Sequence, residues 1–208
     1  MPKRKDGIKT KEKILSSASL LFAGRGYRGT TVAAIASESG VNGALINYYY
    51  GDKAELYRDA WEFAYQKALK QYPVYGRLDE TAPAEERLFE IISSDIARRS
   101  DAGNAANSIT LNELSSPTGL LDNVHEKSFL ELREALRGAV LDILGAEIPE
   151  EERKFAVLSI FSMCIVPLKQ IQQMEGNPRY RYNAIDRARH VYRFAMAGLR
   201  DLRREAAR

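Results

Sequence analysis

Apolar residues recur at intervals of three and four along most of the chain, which is the spacing of one face of an α-helix. In the first such segment the apolar positions are Ile14, Ala18, Leu21 and Phe22. The sequence shows no convincing alternation of apolar and polar residues, which would mark a half-buried strand. The chain is therefore predicted to be all-α, with about nine helices.

Glycine, proline and capping side chains divide this pattern into separate helices. Gly40 is predicted to end the second helix, because glycine accepts the left-handed conformation of a helix C-terminus. Asn42 and Asp52 are expected to cap the third and fourth helices. After a mobile basic arm over residues 1–8, the predicted helices run over about 10–23, from Thr30 or Thr31 to Gly40, from Asn42 to about Tyr50, from Asp52 to about Tyr72, and over about 84–100, 105–114, 118–144, 150–174 and 184–205.

The positive charge of the chain is concentrated near its start. The whole sequence has 31 Lys and Arg against 28 Asp and Glu, a net charge of +3. The first 53 residues hold nine bases and four acids, so the remainder is slightly acidic. A basic N-terminal quarter on a near-neutral body is typical of a nucleic-acid-binding module joined to a larger non-binding body. The basic arm is either a solvated tail or a segment that enters a minor groove.

Several classes of protein are disfavoured by the rest of the composition. A single cysteine, Cys164, cannot form an internal disulfide or a Cys-rich metal site. The most apolar stretch, Phe155–Leu168, has 14 residues and is too short to span a membrane. The histidines, His125 and His190, lie in no metal-binding pattern, and no catalytic triad or phosphate-binding loop is evident. These features predict a cytoplasmic protein without a metal or cofactor that is not an enzyme.

The segment Thr30–Lys53 predicts two short helices joined by a tight turn at Gly40. This is the layout of a helix-turn-helix, whose second helix enters the major groove of DNA. Three consecutive tyrosines, Tyr48–Tyr50, close the second helix, and at least one of them must be exposed. An exposed tyrosine hydroxyl suits a phosphate oxygen. Tyr50 is expected to lie in the core, because it falls one turn after Ile46.

The residues of this segment and its flanks form one dense pattern. It reads Phe22-x-x-x-Gly26-Tyr27-x-x-Thr30-Thr31-Val32-x-x-Ile35-Ala36, then Gly40-Val41-Asn42, then Ile46-x-Tyr48-Tyr49-Tyr50-Gly51-Asp52-Lys53-x-x-Leu56. Over about residues 10–57 the pattern resembles the DNA-binding domain of TetR-family transcriptional regulators. The resemblance implies a three-helix helix-turn-helix domain over residues 1–52, followed by a larger helical effector-binding and dimerisation domain over residues 53–208.

The resemblance also implies DNA contacts at matching positions of this chain. Phosphate contacts are expected at Thr31, Asn42, Tyr48, Tyr49 and Lys53, and approach to base edges or backbone at Gly43, Ala44, Leu45 and Asn47. Asn47 either holds an adenine through two hydrogen bonds or contacts a phosphate. Leu45 touches a thymine methyl group if it is exposed, and belongs to the core if it is buried.

The remaining helices supply candidates for an effector cavity and for a dimer interface. Apolar and aromatic residues that could line a cavity are Trp61, Tyr65, Phe89, Ile92, His125, Phe129 and Met163, although a tryptophan on an amphipathic helix, such as Trp61, is more often part of the core. The last two helices carry apolar faces suited to a homodimer, at Phe155, Leu158, Phe161, Ile165, Val191, Tyr192, Ala195 and Leu199. Otherwise these faces form the core of a monomer.

These observations predict a DNA-binding transcriptional regulator. The favoured form is a repressor that binds a palindromic operator in double-stranded DNA as a homodimer and is released by a small-molecule effector in the C-terminal domain. The alternative is a DNA-binding regulator without a small-molecule effector, controlled by a protein partner. An open cavity in the body favours the first form, and a fully packed body favours the second.

Overall fold

Nine α-helices, and no strand, make up the part of the chain that the structure describes. The computed structural model describes the backbone of residues 2–165 and 183–208, and their side chains except at residues 2–5, 123–125, 127 and 128. The helices are α1 (Pro2–Gly29), α2 (Val32–Ser39), α3 (Gly43–Tyr50), α4 (Lys53–Gln71), α5 (Ala84–Ser100), α6 (Ala105–Ser115), α7 (Asp122–Leu144), α8 (Glu150–Ile165) and α9 (Ala184–Ala206). The predicted all-α class is confirmed.

The first helix is longer than predicted at both ends. Residues 2–8, predicted to be a mobile arm, are helical from Pro2 onward. Proline is tolerated in the first turn of a helix, where its missing N–H has no partner to lose. The hydroxyl of Thr10 also donates to the carbonyl of Asp6 at 2.8 Å, within the helix. At the other end Gly26 has a φ of 67° and breaks the regular helix before it continues to Gly29.

The seventh helix starts at Asp122 rather than near Thr118, and a buried carboxylate explains the delay. One oxygen of Glu113 accepts hydrogen bonds from the backbone N–H and the hydroxyl of Thr118 and from the N–H of Gly119, at 2.6, 2.7 and 3.2 Å. These bonds hold the chain in a turn, in which Gly119 has a φ of 73°. The predicted extension of the eighth helix to residue 174 lies outside the described residues beyond Ile165.

The contacts divide the chain into two compact units. The first unit comprises residues 1–70 and 102–126, so α4 and α6 pack with α1, α2 and α3. Its core includes Ile14, Phe22, Ile35, Ile46 and Leu56, all at most 1% exposed. The first unit is therefore larger than the predicted domain of residues 1–52.

The second unit comprises residues 71–101 and 127–208 and contains α5, most of α7, α8 and α9. Its core is built from the apolar stripes of these helices, including Leu88, Leu136, Ile160 and Leu199. The guanidinium of Arg187 on α9 donates to the carbonyl of Met163 on α8 at 2.7 Å, which fixes these two helices together. None of the described helices combines the length and apolar character that a membrane span requires.

Candidate nucleic-acid interface

Local capping bonds define where α2 and α3 begin and end. The hydroxyl of Thr31 accepts from the N–H of Ala34 at 3.1 Å at the start of α2. Gly40 ends α2 in the left-handed region, with φ 59° and ψ 30°, where a side chain would be strained. The side-chain oxygen of Asn42 then accepts from the N–H of Ala44 at 2.8 Å and starts α3. The roles of Gly40 and Asn42 agree with those expected from the sequence, and Thr31 is one of the two residues at which the second helix is expected to start.

The inner side of α3 is anchored to α1. Ile46 is 1% exposed and Tyr50 is 7% exposed. The hydroxyl of Tyr50 donates to the backbone carbonyl of Lys11 at 3.1 Å. Burial, with smaller contributions from Asp59 and Tyr49, raises the pKa of Tyr50 to about 12. Tyr50 is thus a core residue, as expected, and it holds α3 against the first helix.

The outer side of α3 faces solvent. Ala44 and Asn47 are exposed, and the Tyr48 side chain is 80% exposed, with its ring against that of Tyr49 at 5.4 Å between centroids. Tyr49 is half-buried and lies under the ammonium of Lys11, which is 5.2 Å from its ring centroid. Gly43 and Leu45 are half-buried. Both alternatives for Leu45, a place in the core and a contact with a thymine methyl group, are compatible with this partial exposure.

Lys53 makes internal hydrogen bonds that the sequence did not suggest. Its ammonium donates to the backbone carbonyls of Tyr27 and Thr30, at 3.1 and 3.0 Å, and lies 4.1 Å from the centroid of the Tyr27 ring. Next to it, the carboxylate of Asp52 accepts from the N–H groups of Ala54 and Glu55, both at 2.8 Å. Lys53 therefore ties the start of α4 to the turn before α2. One of its three N–H groups remains for another acceptor.

Three polar contacts from α6 also hold the first unit together. The amide of Asn112 donates to the carbonyls of Phe22 and Ala23 at 3.2 and 2.9 Å, near the end of α1. The hydroxyl of Tyr57 donates to the buried carboxylate of Glu113 at 3.0 Å. The indole N–H of Trp61 donates to the hydroxyl of Thr110 at 3.0 Å.

Sequence reasoning missed these bonds, although one signal was present. Ala106, Ile109, Thr110 and Glu113 have the spacing of one buried helix face, and two of them are polar. A buried carboxylate requires hydrogen-bond donors from its neighbours. Burial first, and then the Glu113 charge, raise the pKa of Tyr57. The hydroxyl therefore stays protonated and keeps donating.

The seven effector candidates are not brought into one cavity. Trp61 and Tyr65 fill the core of the first unit, at 1% and 5% exposed, with their rings stacked 4.8 Å apart. In the second unit Ile92 is buried in the core and Met163 packs against it half-buried. Phe89 and Phe129 line two different cavities, of about 750 and 710 Å³. The side chain of His125 lies outside the described residues.

The dimer candidates separate into exposed and buried groups. Phe155 and Leu158 on α8 are both 56% exposed, while Phe161, Ile165 and Tyr192 are half-buried. Val191, Ala195 and Leu199 on α9 are at most 5% exposed and fill the core of the second unit. Side chains that pack in their own core are not available to a partner. The large exposed apolar residues of α9 are instead Ile185 and Phe194, at 63% and 65%.

Neither the lone cysteine nor the acidic side chains form a metal site in the described residues. Cys164 is buried, and burial is the largest cause that raises its pKa to about 12. Within the ranges described, no three His, Cys, Asp or Glu side chains converge as metal ligands do. The exposed surface of α3 is thus the best-defined candidate site of the first unit.

Two domain families match most of the chain. Residues 14–60 match the family described as bacterial regulatory proteins, tetR family. Residues 84–199, more than half of the chain, match the C-terminal domain of the HTH-type transcriptional dual regulator CecR. The chain belongs to the TetR family. TetR-family regulators are DNA-binding transcription factors and not enzymes, so the predictions of the family, of transcriptional regulation and of a non-enzyme are confirmed.

Curated relatives match the N-terminal part of this TetR-family chain. A protein named as a probable HTH-type transcriptional regulator, YttP of Bacillus subtilis strain 168, is 32% identical over 85 residues, which is 41% of each chain. The negative transcriptional regulator IcaR of the biofilm operon icaADBC, from Staphylococcus epidermidis, is 38% identical over 52 residues, 25% of this chain and 28% of its own. The matches thus span less than half of the length of these relatives.

Solved structures match over nearly the whole length. A protein from Pseudomonas aeruginosa PAO1, assigned as a transcriptional regulator, superposes with a TM-score of 0.73 at 17% identity, covering 99% of this chain and 95% of its own. A TetR-like transcriptional regulator from Rhodococcus sp. RHA1 superposes with a TM-score of 0.63 at 14% identity, covering 91% and 95%. At such identities the likeness shows the shared fold, with a helix-turn-helix followed by a helical C-terminal part.

Proposed function

We propose that this TetR-family regulator binds a palindromic operator as a homodimer, represses transcription there, and is released by a small-molecule effector. The single observation that carries the proposal is the outer surface of α3. Its N-terminus is capped, its inner side is anchored by Ile46 and Tyr50, and its outer side exposes Asn47 and Tyr48. A rigidly mounted, solvent-facing helix of this kind suits the major groove of duplex DNA.

Contacts with phosphates position α3, and contacts with base edges supply specificity. We assign phosphate contacts to Thr31, Asn42, Tyr48, Tyr49 and Lys53, the last through its remaining N–H group. We assign the approach to bases or backbone to Gly43, Ala44, Leu45 and Asn47. Lysines on α1 add a sequence-independent attraction to DNA, because Lys9, Lys11 and Lys13 are exposed on the same unit.

Two copies of α3 are needed to reach a useful specificity, because one helix contacts few base pairs. A symmetric dimer spaces its two recognition helices about 34–36 Å apart, one turn of DNA. We assign the dimer interface to the outward sides of α8 and α9. Phe155 and Phe194 supply exposed apolar surface there, and the small Ser162 and Ala197 are also exposed and permit close helix packing.

In this proposal residues 1–52, together with Lys53, contact DNA, and the rest of residues 53–208 binds the effector and forms the dimer. The effector acts by favouring a conformation in which the two copies of α3 no longer match the groove. A tenfold loss of operator affinity requires a difference of only about 1.4 kcal/mol between the two states. Names of relatives support repression, since IcaR is called a negative regulator. Operator DNA of a bacterial regulator lies in the cytoplasm, where we place the protein.

Selection of bound duplexes from a random DNA library tests the proposal. We expect enrichment of a palindrome with two half-sites. Asn47→Ala is expected to change the preferred bases if Asn47 contacts a base edge, whereas Tyr48→Ala weakens binding to all sequences. Lys67 is an exposed lysine elsewhere on α4, so Lys67→Ala is the control and is expected to leave the preferred bases and the affinity for DNA unchanged. Failure to enrich any duplex at low salt would refute the assignment of α3.

A further inference from the structure

A groove between α7 and α8 in the second unit is lined by both apolar and basic side chains. It has a volume of about 710 Å³. Its described lining consists of the apolar residues Phe129, Leu141, Val157, Leu158, Phe161 and Ile165 and the charged residues Arg133, Glu134, Arg137, Glu150, Arg153 and Lys154. The volume is in the range of small-molecule sites, which are mostly apolar with a few polar groups.

The charged and apolar lining residues are separated along α8, whereas on α7 the charged positions lie between Phe129 and Leu141. On α8 the charged side chains fall at Glu150, Arg153 and Lys154, and the later lining positions up to Ile165 are apolar. From Arg153 to Ile165 the helix rises by about 18 Å. The rings of Phe129 on α7 and Phe161 on α8 meet edge to face 5.7 Å apart in the apolar part. The α8 wall is therefore charged near its start and apolar towards its end.

The charge of the groove is positive after its internal ion pairs are taken into account. Glu134 pairs with Arg137 at 2.7 Å, and Glu150 pairs with Lys154 at 2.6 Å. Both lining acids are thus engaged by bases of their own helix. Arg133 forms no ion pair with any residue that the structure describes, and Arg153 gives one N–H to the carbonyl of Gly145 at 3.2 Å. Two guanidinium groups, on opposite walls, remain to attract an anion.

We propose that this groove binds a single-chain amphiphile with an anionic head, such as a long-chain carboxylate, with its tail along the apolar part and its head among the arginines. This inference rests on the proposed function, because it makes such a molecule the effector. The apolar lining favours the tail, and the excess of guanidinium groups selects an anionic head over a cationic or neutral one.

Calorimetric titration of the full chain tests whether the groove binds such an amphiphile. The ligands are decanoate, dodecanoate and tetradecanoate, each below its micelle concentration. Burial of methylenes predicts about fifteenfold tighter binding for each two-carbon extension. Dodecyltrimethylammonium, with the same tail and a cationic head, is expected not to compete. Equal binding of the two dodecyl compounds, or no gain with chain length, would overturn the proposal.

Variants of the groove lining provide a second test. Leu141→Glu places a carboxylate in the groove and is expected to weaken dodecanoate binding at least tenfold. Leu130→Glu is the matched control, because it makes the same change on the same helix outside the groove lining. The exposed fractions of the two side chains are similar, 42% for Leu130 and 37% for Leu141. Arg133→Gln removes one unpaired charge and is expected to weaken binding about two- to fivefold. Dodecanoate binding that is equal in all three variants would overturn the proposal.

Two further readouts separate the groove from the rest of the proposed function. If Leu141→Glu converts a dimer into a monomer in sedimentation, the groove takes a second copy of the chain and the proposal is wrong. Operator binding is measured with and without dodecanoate. If dodecanoate releases the wild type from the operator but does not release Leu141→Glu, the proposal is supported. If the chain binds the operator but does not bind dodecanoate, the groove assignment is wrong and the proposed function stands. Absence of operator binding in every condition would instead refute the proposed function.

Discussion

The hydroxyl of Tyr57 provides a sharp test of how α6 is held in the first unit. It donates at 3.0 Å to one carboxylate oxygen of Glu113, a residue that is 5% exposed. Tyr57→Phe removes this donor without changing the ring. Hydrogen bonds to buried charged groups contribute about 1.5–3 kcal/mol. We expect about 1.5 kcal/mol, the lower end, because the other oxygen of Glu113 keeps three donors from Thr118 and Gly119.

Urea denaturation followed by tryptophan fluorescence measures this change in the right unit. Trp61 is the only tryptophan, is 1% exposed and lies in the first unit, so its emission reports the unfolding of that unit. With a slope of about 2 kcal/mol per molar urea, the midpoint falls by about 0.8 M. Tyr48→Phe, which removes an exposed hydroxyl, is the control and is expected to shift the free energy of unfolding by less than about 0.5 kcal/mol.

A double-mutant cycle with Glu113→Gln identifies the partner of the hydroxyl. Groups in one hydrogen-bond network show interaction energies of about 0.5–3 kcal/mol. The double variant is therefore expected to lose less stability than the sum of the two single variants. Strict additivity, or a Tyr57→Phe midpoint equal to that of the Tyr48→Phe control, would refute the claim that this bond stabilises the contact between α4 and α6.

Three further predictions concern Tyr50, Lys53 and Phe194. In the folded chain the pKa of Tyr50 is raised to about 12, so its protonated hydroxyl stabilises the fold fully below the unfolded pKa of about 10, and this stabilisation is lost as the pH rises towards 12. Tyr50→Phe is expected to remove this part of the fall in the free energy of unfolding between pH 10 and 12. An equal fall in the wild type and in Tyr50→Phe would contradict the prediction. Lys53→Met loses the bonds to Tyr27 and Thr30, so we expect a fall of about 1 kcal/mol in stability and weaker operator binding at all sequences, with Lys67→Met unchanged on both counts. Phe194→Glu is expected to yield a monomer in sedimentation at concentrations where the control Leu130→Glu remains dimeric. If both variants are dimers, the exposed side of α9 does not form the interface.

The parts of the candidate site that could be predicted from the sequence depend on bonds between near neighbours. Thr31 bonds three positions ahead, Asn42 two positions ahead, and Gly40 requires only its own backbone conformation. Such bonds are encoded by residue type and spacing, because nothing distant decides them. The prediction of Tyr50 as a core residue has the same origin, since it follows Ile46 by one helical turn.

Errors arose where one pattern suits two environments. The apolar stripe of α9 indicates that one side is buried, but periodicity does not say whether the covering surface is the same chain or a second copy. Val191, Ala195 and Leu199 pack in their own core, and the surface left for a partner includes Phe194, which lies off that stripe. The same ambiguity affected Trp61, which suits both a cavity wall and a core.

Contacts that join distant segments were beyond sequence reasoning, and they change what Lys53 is expected to do. Lys53 is 26 positions from Tyr27 and Asn112 is 90 positions from Phe22, so no spacing rule links them. Both donate to backbone carbonyls at or next to the end of α1, and any residue type supplies such an acceptor. A lysine held by two carbonyls loses little side-chain freedom when a phosphate takes its third N–H group, because that freedom is already lost in the folded chain. Prearranged in this way, Lys53 contributes to operator affinity and to the stability of the turn before α2 through the same ammonium group, and for that reason the two effects of Lys53→Met are expected to appear together.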